Sequence, residues 1–266
     1  MFDSIAGDYD ALNHILSLDV DKIWRKKALK QIVDAPAPAH VLDLACGTGD
    51  FSIAIAKALS RSHKRVGTPI EAHVKAPAKA PVEAQVTSTG FVTGDSGRSD
   101  LMTKGHVTGV DLSEGMLAVM REKVGKAGLT EMISIEEGDG ENLRFPDNTF
   151  DRVTIAFGIR NFEDRPKGLR EMLRVLKPGG RLVILELSRP ENKIIRWFYD
   201  LYFLHILPKV GGKVSGDKAA YAYLPASVAA FPGKKAFMAT MREAGFRAVT
   251  HKAFTLGICR MYTGEK

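Results

Sequence analysis

The chain of 266 residues has few cysteines, no long apolar run and no concentrated block of one charge. Its two cysteines, Cys46 and Cys259, are too few for the disulfide framework of a small secreted domain. No run approaches the ~20 apolar residues that a membrane-spanning helix needs. The first residues, Met1 to Ser4, lack the basic and then apolar pattern of a signal peptide. We therefore expect a soluble, cytoplasmic protein.

The excess of positive charge is spread along the chain. Lys and Arg number 38 against 31 Asp and Glu, which gives a formal net charge of +7. Proteins that bind nucleic acids more often gather their cations in one stripe, with aromatic residues between them for base stacking. We therefore expect no nucleic-acid partner. A mildly basic surface is compatible with a peripheral contact to anionic lipid headgroups.

Helical and extended patterns alternate, which favours one α/β domain with a parallel sheet and crossover helices. Short runs of apolar and β-branched residues predict five buried strands: His40–Leu44, His106–Asp111, Ile133–Glu137, Phe150–Ala156 and Arg181–Leu187. Helices are predicted over residues 50–59, 113–127 and 165–176, with Ser113 as an N-cap. We expect Lys177 to Gly180 to form a turn before the fifth strand.

Residues 63–104 interrupt this alternation, because they are rich in Ala, Pro, Lys, Thr, Ser and Gly. The stretch from Lys75 to Pro81 nearly repeats itself. Such a composition buries little apolar surface and offsets little of its ordering entropy. We therefore predict a mobile, low-complexity surface insertion between the first helix of the core and the second strand.

A glycine-rich turn follows the first predicted strand, between Asp43 and Asp50. A strand, a tight turn and a helix start place backbone N–H groups against a ligand at the carboxyl edge of a sheet. A dinucleotide site favours a third glycine at position 52, which is Ser52 here, and a phosphate where Asp50 would repel it. S-adenosylmethionine has no phosphate and carries a sulfonium and an ammonium group, so both aspartates are compatible with it. A nicotinamide-dependent oxidoreductase remains the alternative from another class.

Acidic residues also end the second and third predicted strands. Asp111 ends the second, where a carboxylate can accept hydrogen bonds from both ribose hydroxyls. Its distance from the turn exceeds the usual ~20 residues, and the insertion accounts for the excess. Asp139 follows the third strand, where an acid can accept from an adenine amino group. Each acid alone is typical of a solvated loop, but acids at three consecutive strand ends favour a site for the methyl donor.

Several stretches carry a family resemblance: Phe2–Ala6 with Tyr9, Asp10 and Asn13, then Leu42–Asp50, Phe145–Asp151, Phe157–Asn161, Arg174–Arg181 and Tyr221–Ser227. Through them the chain resembles the class I methyltransferases, and more closely the ubiquinone/menaquinone biosynthesis C-methyltransferase family. The resemblance covers nearly the whole chain outside the insertion. The Leu-Lys-Pro-Gly-Gly turn is shared by many methyltransferases, whereas the Phe-Gly-Ile-Arg-Asn stretch is much more particular to this family.

The resemblance implies one Rossmann-like, seven-stranded class I methyltransferase domain over residues 1–266. It implies S-adenosyl-L-methionine as the methyl donor and a ring carbon of a polyprenylated quinol as the acceptor. Demethylmenaquinol is the first candidate, and a 2-polyprenyl-6-methoxy-benzoquinol is the second. A class I methyltransferase for another lipid or small molecule stays open. A homodimer and a peripheral contact with the inner face of the cell membrane are also left open, and no metal is expected.

The strand ends and the resemblance together give the expected cofactor contacts: Asp43, Gly47, Thr48, Gly49, Asp111, Asp139, Gly140 and Ala156. The family often has a Ser at position 156, so the alanine here removes a hydroxyl contact. Arg160 and Asn161 are the expected catalytic residues, since a permanent cation can stabilise a developing phenolate directly or through water. The alternative for Arg160 is an ion pair with Glu163 or Asp164. Asn161 either orients the same water or caps the next helix.

The acceptor pocket is expected among residues that each have a structural alternative: Tyr9, His205, Asp217, Tyr221 and Tyr223. His205 is either a base or a core residue between apolar neighbours. Residues 190–230 are expected to form a lid on the substrate side. Within them the aromatic stretch 194–207 is either a core-packed helix or a wall for an isoprenoid tail that touches the bilayer. Cys46 is interpreted as a packing residue, because it has no identifiable base partner.

Overall fold

A computed structural model describes residues 20–34, 40–66, 105–202 and 218–266. Within these ranges seven strands form one sheet. The strands are β1 (His40–Leu44), β2 (His106–Asp111), β3 (Ile133–Glu137), β4 (Phe150–Ala156), β5 (Leu176–Leu187), β6 (Arg247–Phe254) and β7 (Cys259–Glu265). The first four have the predicted bounds.

Helices cover both faces of the sheet. They are α1 (Val20–Ile32), α2 (Asp50–Val66), α3 (Glu114–Lys126), α4 (Arg165–Val175), α5 (Lys193–Leu201), α6 (Lys218–Ala230) and α7 (Lys234–Glu243). Ser113 is the N-cap of α3, as predicted, because its Oγ accepts from the backbone N–H of Met116 at 3.2 Å. The helix α2 continues beyond its predicted end, and the rest of the predicted insertion, residues 67–104, lies outside the described residues.

The strand order is β3-β2-β1-β4-β5-β7-β6; β7 pairs antiparallel with β5 and with β6, and the other neighbouring strands are parallel. This arrangement confirms the predicted Rossmann-like α/β fold. The chain continues from β1 toward β2 on one side and later returns to add β4 on the other. In open α/β sheets a ligand binds at the carboxyl ends of the strands where the order reverses. The topology therefore places the candidate site beyond the ends of β1 and β4.

The sheet is buried on both faces, which explains why its strands are continuously apolar. Alternate residues of β1 enter different cores, since Val41 packs with α1 and α2 while Leu42 packs with α4 and α7. The same alternation occurs in β5, where Val183 joins the first core and Ile184 the second. The two cores fix the central strands, and hence the loops at their carboxyl ends.

The turn predicted over Lys177 to Gly180 is wrong, because these residues belong to β5. The register changes there, since Phe150 pairs with Leu176 and Arg152 pairs with Arg181. The extra residues on β5 form an irregularity within the strand. Glycine is required at position 180, where a Cβ would lie 2.7 Å from the carbonyl oxygen of Lys177. The pattern of Pro and Gly therefore indicates a bulge in this strand and no break.

Candidate active site

The glycine-rich turn after β1 has left-handed backbone conformations at Ala45, Gly47 and Gly49. A Cβ at Gly49 would collide with the Met120 side chain, so this glycine is required for packing against α3. A Cβ at Gly47 would meet nothing within 4 Å. The turn therefore leaves open space above Gly47, as a ligand that approaches the backbone would need.

Asp111, at the end of β2, holds this turn in place. Its Oδ2 accepts from the backbone N–H of Gly47 at 2.9 Å, and its Oδ1 accepts from the N–H of Ser113 at 2.9 Å. An ionised carboxylate has about four acceptor positions, so it can hold the turn and also accept from ribose hydroxyls. The structure thus brings together two residues that the sequence predicts for one nucleoside site.

Asp43 lies beneath the turn and is 1% exposed. Its Oδ2 accepts from the hydroxyl of Ser52 at 2.6 Å. Burial raises the pKa of the Asp43 carboxyl to about 7, and the nearby charge of Asp111 adds to this effect, whereas the Ser52 hydrogen bond and the charge of Arg25 oppose it. The arrangement makes Asp43 a support of the turn.

The carboxylate of Asp50 is balanced by cations from two other helices. Lys123 of α3 pairs with its Oδ1, and the Nη1 of Arg25 in α1 lies 3.5 Å from its Oδ2. Lys123 also donates to the Oγ1 of Thr48 at 3.3 Å, and Thr48 is buried. These cations were not predicted from the sequence. They place Thr48 and Asp50 in one ionic cluster at the start of α2.

Asp139 and Gly140 form the loop after β3. The Oδ1 of Asp139 accepts from the backbone N–H of Glu141 at 2.8 Å, which fixes the loop. A Cβ at Gly140 would lie 2.5 Å from the ring of Phe162, and a Cβ at Gly168 would lie equally close to the same ring. The glycine at 140 therefore makes room for Phe162, a packing role that the sequence did not predict.

The ends of β1 and β4 approach each other closely at Gly158, where a Cβ would collide with that of Ala45. Ala156 ends β4 and, as expected, contributes no hydroxyl. Phe157 follows in a left-handed conformation, with its N–H donating to the carbonyl of Leu185 at 2.7 Å. The Arg25 guanidinium lies 5.6 Å from the centre of the Phe157 ring. This close approach brings the glycine-rich turn after β1 next to the loop that follows β4.

Arg160 is 8% exposed and is paired with Glu186, which is 0% exposed. The Nη1 of Arg160 lies 2.9 Å from Oε1 of Glu186, and the Arg160 backbone N–H donates to Oε2 at 3.1 Å. Nη1 also donates to the carbonyl of Phe157, and Nε donates to Ser227 Oγ at 3.3 Å. The alternative prediction for Arg160, an ion pair with Glu163 or Asp164, is therefore wrong. Its partner comes from β5.

Asn161 accepts at Oδ1 from the Tyr223 hydroxyl at 2.8 Å. It does not cap the next helix, because Asp164 is the N-cap of α4 and accepts from the N–H of Lys167 at 2.9 Å. Tyr223 and Ser227 lie one turn apart on α6, so one face of this helix contacts both Asn161 and Arg160. The predicted pocket residue Tyr223 therefore belongs to a polar cluster with Asn161, Arg160 and Glu186.

The other predicted pocket residues are not placed by the structure. Tyr9, His205 and Asp217 lie outside the described residues. Tyr221 belongs to α6, but its side chain is not among those described. The prediction for these four residues stays a prediction.

Glu186 is the functional candidate that the sequence analysis missed. It is an acid in the otherwise apolar run Leu182–Leu187 of β5. A charged residue in a strand buried on both faces requires a buried partner. That signal predicts a cation nearby, although it does not say which one.

Comparisons with known proteins agree on one family. The model of the ubiE/COQ5 methyltransferase family matches residues 1–266. The ubiquinone/menaquinone biosynthesis C-methyltransferase UbiE of Geobacter sulfurreducens is 43% identical over 266 residues, covering 100% of this chain and 87% of the relative. The demethylmenaquinone methyltransferase of Bacteroides fragilis is 39% identical, covering 100% of this chain and 91% of the relative.

Solved structures share the fold at low identity. A possible histamine N-methyltransferase from Thermotoga maritima has a TM-score of 0.58 and 17% identity, covering 100% of this chain and 97% of that chain. A putative S-adenosyl-L-methionine-dependent methyltransferase from Methanococcus maripaludis has a TM-score of 0.59 and 17% identity, covering 100% and 94%. The full-length family match removes the nicotinamide-dependent oxidoreductase as an alternative. The chain belongs to the ubiE/COQ5 methyltransferase family and is an S-adenosylmethionine-dependent methyltransferase.

Proposed function

We propose that this enzyme methylates a ring carbon of a polyprenylated quinol, with demethylmenaquinol as the first candidate acceptor and a 2-polyprenyl-6-methoxy-benzoquinol as the second. One observation carries the proposal: a polar cluster at the carboxyl ends of β4 and β5, where Glu186 holds Arg160 and Tyr223 holds Asn161. The names of the two relatives, one for ubiquinone and menaquinone biosynthesis and one for demethylmenaquinone, support this acceptor.

Methylation at carbon requires an electron-rich ring, because neutral aromatic carbon is a poor nucleophile. Loss of a proton from a quinol hydroxyl raises the electron density on the neighbouring ring carbon. S-adenosylmethionine, when bound, supplies an electrophilic methyl group on a sulfonium. The protein must hold the acceptor carbon in line with that group and favour the ionised form of the hydroxyl.

In this proposal Arg160 favours the ionised form. Its guanidinium stays charged at all relevant pH values, and its burial protects its field from screening by water and salt. Glu186 balances that charge, so the stabilisation of a phenolate comes from oriented N–H groups more than from net positive charge. Asn161 accepts from Tyr223 through Oδ1, which leaves its amide N–H groups to donate to the quinol oxygen or to a bridging water.

The residues at the ends of β1, β2 and β3 are assigned to the methyl donor. Asp111 has acceptor capacity for the ribose hydroxyls while it holds Gly47. The open space at Gly47 suits the close approach of the donor to the turn. Asp139 is assigned to the adenine amino group. Thr48, in the ionic cluster with Lys123, lines the same turn.

A polyprenyl tail is insoluble in water, so the proposed acceptor also places the enzyme at a membrane surface. We propose peripheral attachment at the inner face of the cell membrane. The helices of the substrate side, α5 and α6, then lie between the bilayer and the polar cluster. None of the helices in the described part of the chain is both long and apolar enough to span a membrane.

The test is a methylation assay with purified enzyme, S-adenosylmethionine and chemically reduced demethylmenaquinol with a short tail. We expect a product with one added methyl group on a ring carbon, which mass spectrometry and NMR identify. The benzoquinol acceptor in a parallel reaction decides between the two candidates. Donor binding without methylation of either quinol, or methylation at oxygen, would contradict the proposal.

Arg160→Lys separates the catalytic role of Arg160 from its structural one. Lysine keeps the positive charge beside Glu186 but loses the planar fork of donors. We expect kcat to fall at least about tenfold with little change in donor affinity, because the lost interactions act chiefly in the transition state. Calorimetric binding of S-adenosylhomocysteine supplies the affinity. An equal loss in that affinity would assign Arg160 to structure.

A further inference from the structure

We infer that the outer face of α5 docks on a lipid bilayer beside the acceptor site. This apolar face consists of Ile194, Trp197, Phe198 and Leu201, which are 70%, 61%, 60% and 39% exposed. Their positions follow the spacing of one side of a helix. The inference rests on the proposed function, since a polyprenylated acceptor is what brings the site to a bilayer.

The opposite face of α5 connects to the polar cluster. Tyr199 is buried and packs with Val228 of α6, together with Leu187, Leu224 and Ile258. The same helix α6 carries the two side chains that bind Asn161 and Arg160. The helix α6 therefore contacts both the inner face of α5 and the cluster. A bilayer on the outer face would lie close to the place where the quinol must enter.

Exposed apolar side chains elsewhere in the described residues lie at the same edge of the molecule. Leu112 follows the end of β2, and Leu256 lies in the turn after β6. Ile23 is next to Trp24, whose indole N–H donates to Thr255 Oγ1 in that turn at 2.8 Å. Single exposed apolar residues are normal on any surface. Their concentration at the carboxyl edge of the sheet indicates an interaction surface.

The composition of this surface favours lipid as the partner. Trp197 and Phe198 stack edge to face with their centroids 4.9 Å apart, and aromatic side chains of this kind are typical of helices that lie in a membrane interface. Lys193 flanks them and is exposed. The nearby acids are ion-paired, Asp200 with Arg189 and Glu191 with Lys234. Together with the net charge of +7, this favours an anionic leaflet.

The two tryptophans of the chain provide a direct test. Trp24 is 4% exposed in the core, whereas Trp197 is on the apolar face of α5. Vesicles of phosphatidylcholine with phosphatidylglycerol, free of any quinol, should shift the Trp197 emission to the blue and carry the enzyme with them in flotation. Trp197→Phe should keep the flotation and lose the emission shift. High salt should weaken both effects.

A matched pair of variants tests which face docks. Trp197→Ser with Phe198→Ser should lower vesicle partitioning about tenfold or more, because two apolar side chains are removed from the interface. Trp197→Phe with Phe198→Leu keeps the face apolar and should partition like the parent. Thermal unfolding and S-adenosylhomocysteine binding should be unchanged in both, since these side chains are exposed.

Other results would overturn the inference. Equal partitioning of the serine and the conservative variants would assign membrane binding to another surface. Trp197 emission that is blue-shifted without vesicles and does not respond to them would show that another segment of the chain or a second copy covers the face. Sedimentation velocity would then distinguish a second copy, which forms a dimer, from another segment of the same chain, which leaves a monomer. Methylation of a soluble quinol needs no vesicles, and vesicle binding needs no quinol, so a failure of docking and a failure of the proposed reaction appear in separate experiments.

Discussion

In the donor half of the site, at the ends of β1, β2 and β3, two aspartates bind backbone N–H groups, whereas in the acceptor half, at the ends of β4 and β5, side chains mostly bind one another. Asp111 accepts from the amides of Gly47 and Ser113, and Asp139 accepts from the amide of Glu141. Arg160 instead pairs with Glu186, and Asn161 with Tyr223. The first arrangement depends mainly on where the backbone runs. The second depends on several side chains that must all be present together.

The two halves should therefore fail in different ways when they are mutated. Loss of Asp111 or Asp139 in the donor half leaves backbone amides without their acceptor but strands no charge, and it should mainly weaken the binding of the donor. Loss of Glu186 in the acceptor half strands the Arg160 charge in a buried place, and it should weaken folding and chemistry together. Loss of the Tyr223 hydroxyl strands no charge and should weaken the chemistry alone. Five substitutions or deletions test this difference.

Glu186→Ala should have the largest effect, because it leaves the Arg160 guanidinium buried without its counter-charge. We expect a loss of about 3–5 kcal/mol in the free energy of unfolding, measured by urea denaturation. The double variant Arg160→Met with Glu186→Leu should recover most of this stability and none of the activity. Glu122→Ala, which breaks an exposed pair with Lys126, is the control and should leave stability unchanged. A similarly small effect of Glu186→Ala would mean that the buried pair is not formed.

Asp43→Asn tests the buried acid of the donor half through pH. The folded-state pKa of Asp43 is raised from 3.8 to about 7, so between these values the folded chain keeps a proton that the unfolded chain has released. Stability from this group is therefore present at acid pH and is lost as the pH rises from about 4 to 7. Relative to the parent, Asp43→Asn should gain stability over that range, by up to about 4 kcal/mol. Urea denaturation at several pH values measures the difference, and parallel curves would contradict the raised pKa.

Asp111→Ala should weaken binding of S-adenosylhomocysteine by one to two orders of magnitude, because hydrogen bonds to a carboxylate contribute about 1.5–3 kcal/mol. Calorimetry gives the affinity. At a saturating donor concentration kcat should fall much less, since the acceptor half is intact. Unchanged affinity would mean that the ribose site has been misplaced.

The same contrast explains how much the sequence could predict. The glycine-rich turn and the acids at the strand ends of the donor half are local patterns, and the predicted strands around them have the observed bounds. The contacts of the acceptor half join residues that are 26, 62 and 67 positions apart, and no local pattern pairs Arg160 with Glu186, Asn161 with Tyr223, or Arg160 with Ser227. The last two strands were also not found from periodicity, since β7 joins the sheet by pairing with β5, and β6 joins it by pairing with β7.

Tyr223→Phe should have a smaller effect that is confined to the chemistry. It removes the hydroxyl that donates to Asn161 and keeps the ring in place. A lost hydrogen bond of about 0.5–1.5 kcal/mol corresponds to a fall in kcat of about two- to thirteenfold. Donor affinity should not change, because Tyr223 belongs to the acceptor half. A loss of donor affinity equal to the loss in kcat would show that the two halves are not independent.

Replacement of residues 67–104 by a short Gly/Ser linker should have the smallest effect. The helix α2 starts at the carboxyl edge of the sheet with Asp50, so its end at Val66 is directed to the opposite edge. The next strand begins at that opposite edge, where His106 is in register with His40 at the start of β1. A segment that joins these two points leaves and re-enters the fold away from both halves of the site. Since the cost of closing a loop grows only slowly with its length, kcat should stay within about twofold and stability within about 1–2 kcal/mol. Steady-state kinetics and urea denaturation check both values, and a folded deletion variant with a large loss of activity would show that this segment reaches the substrate or a second copy of the chain.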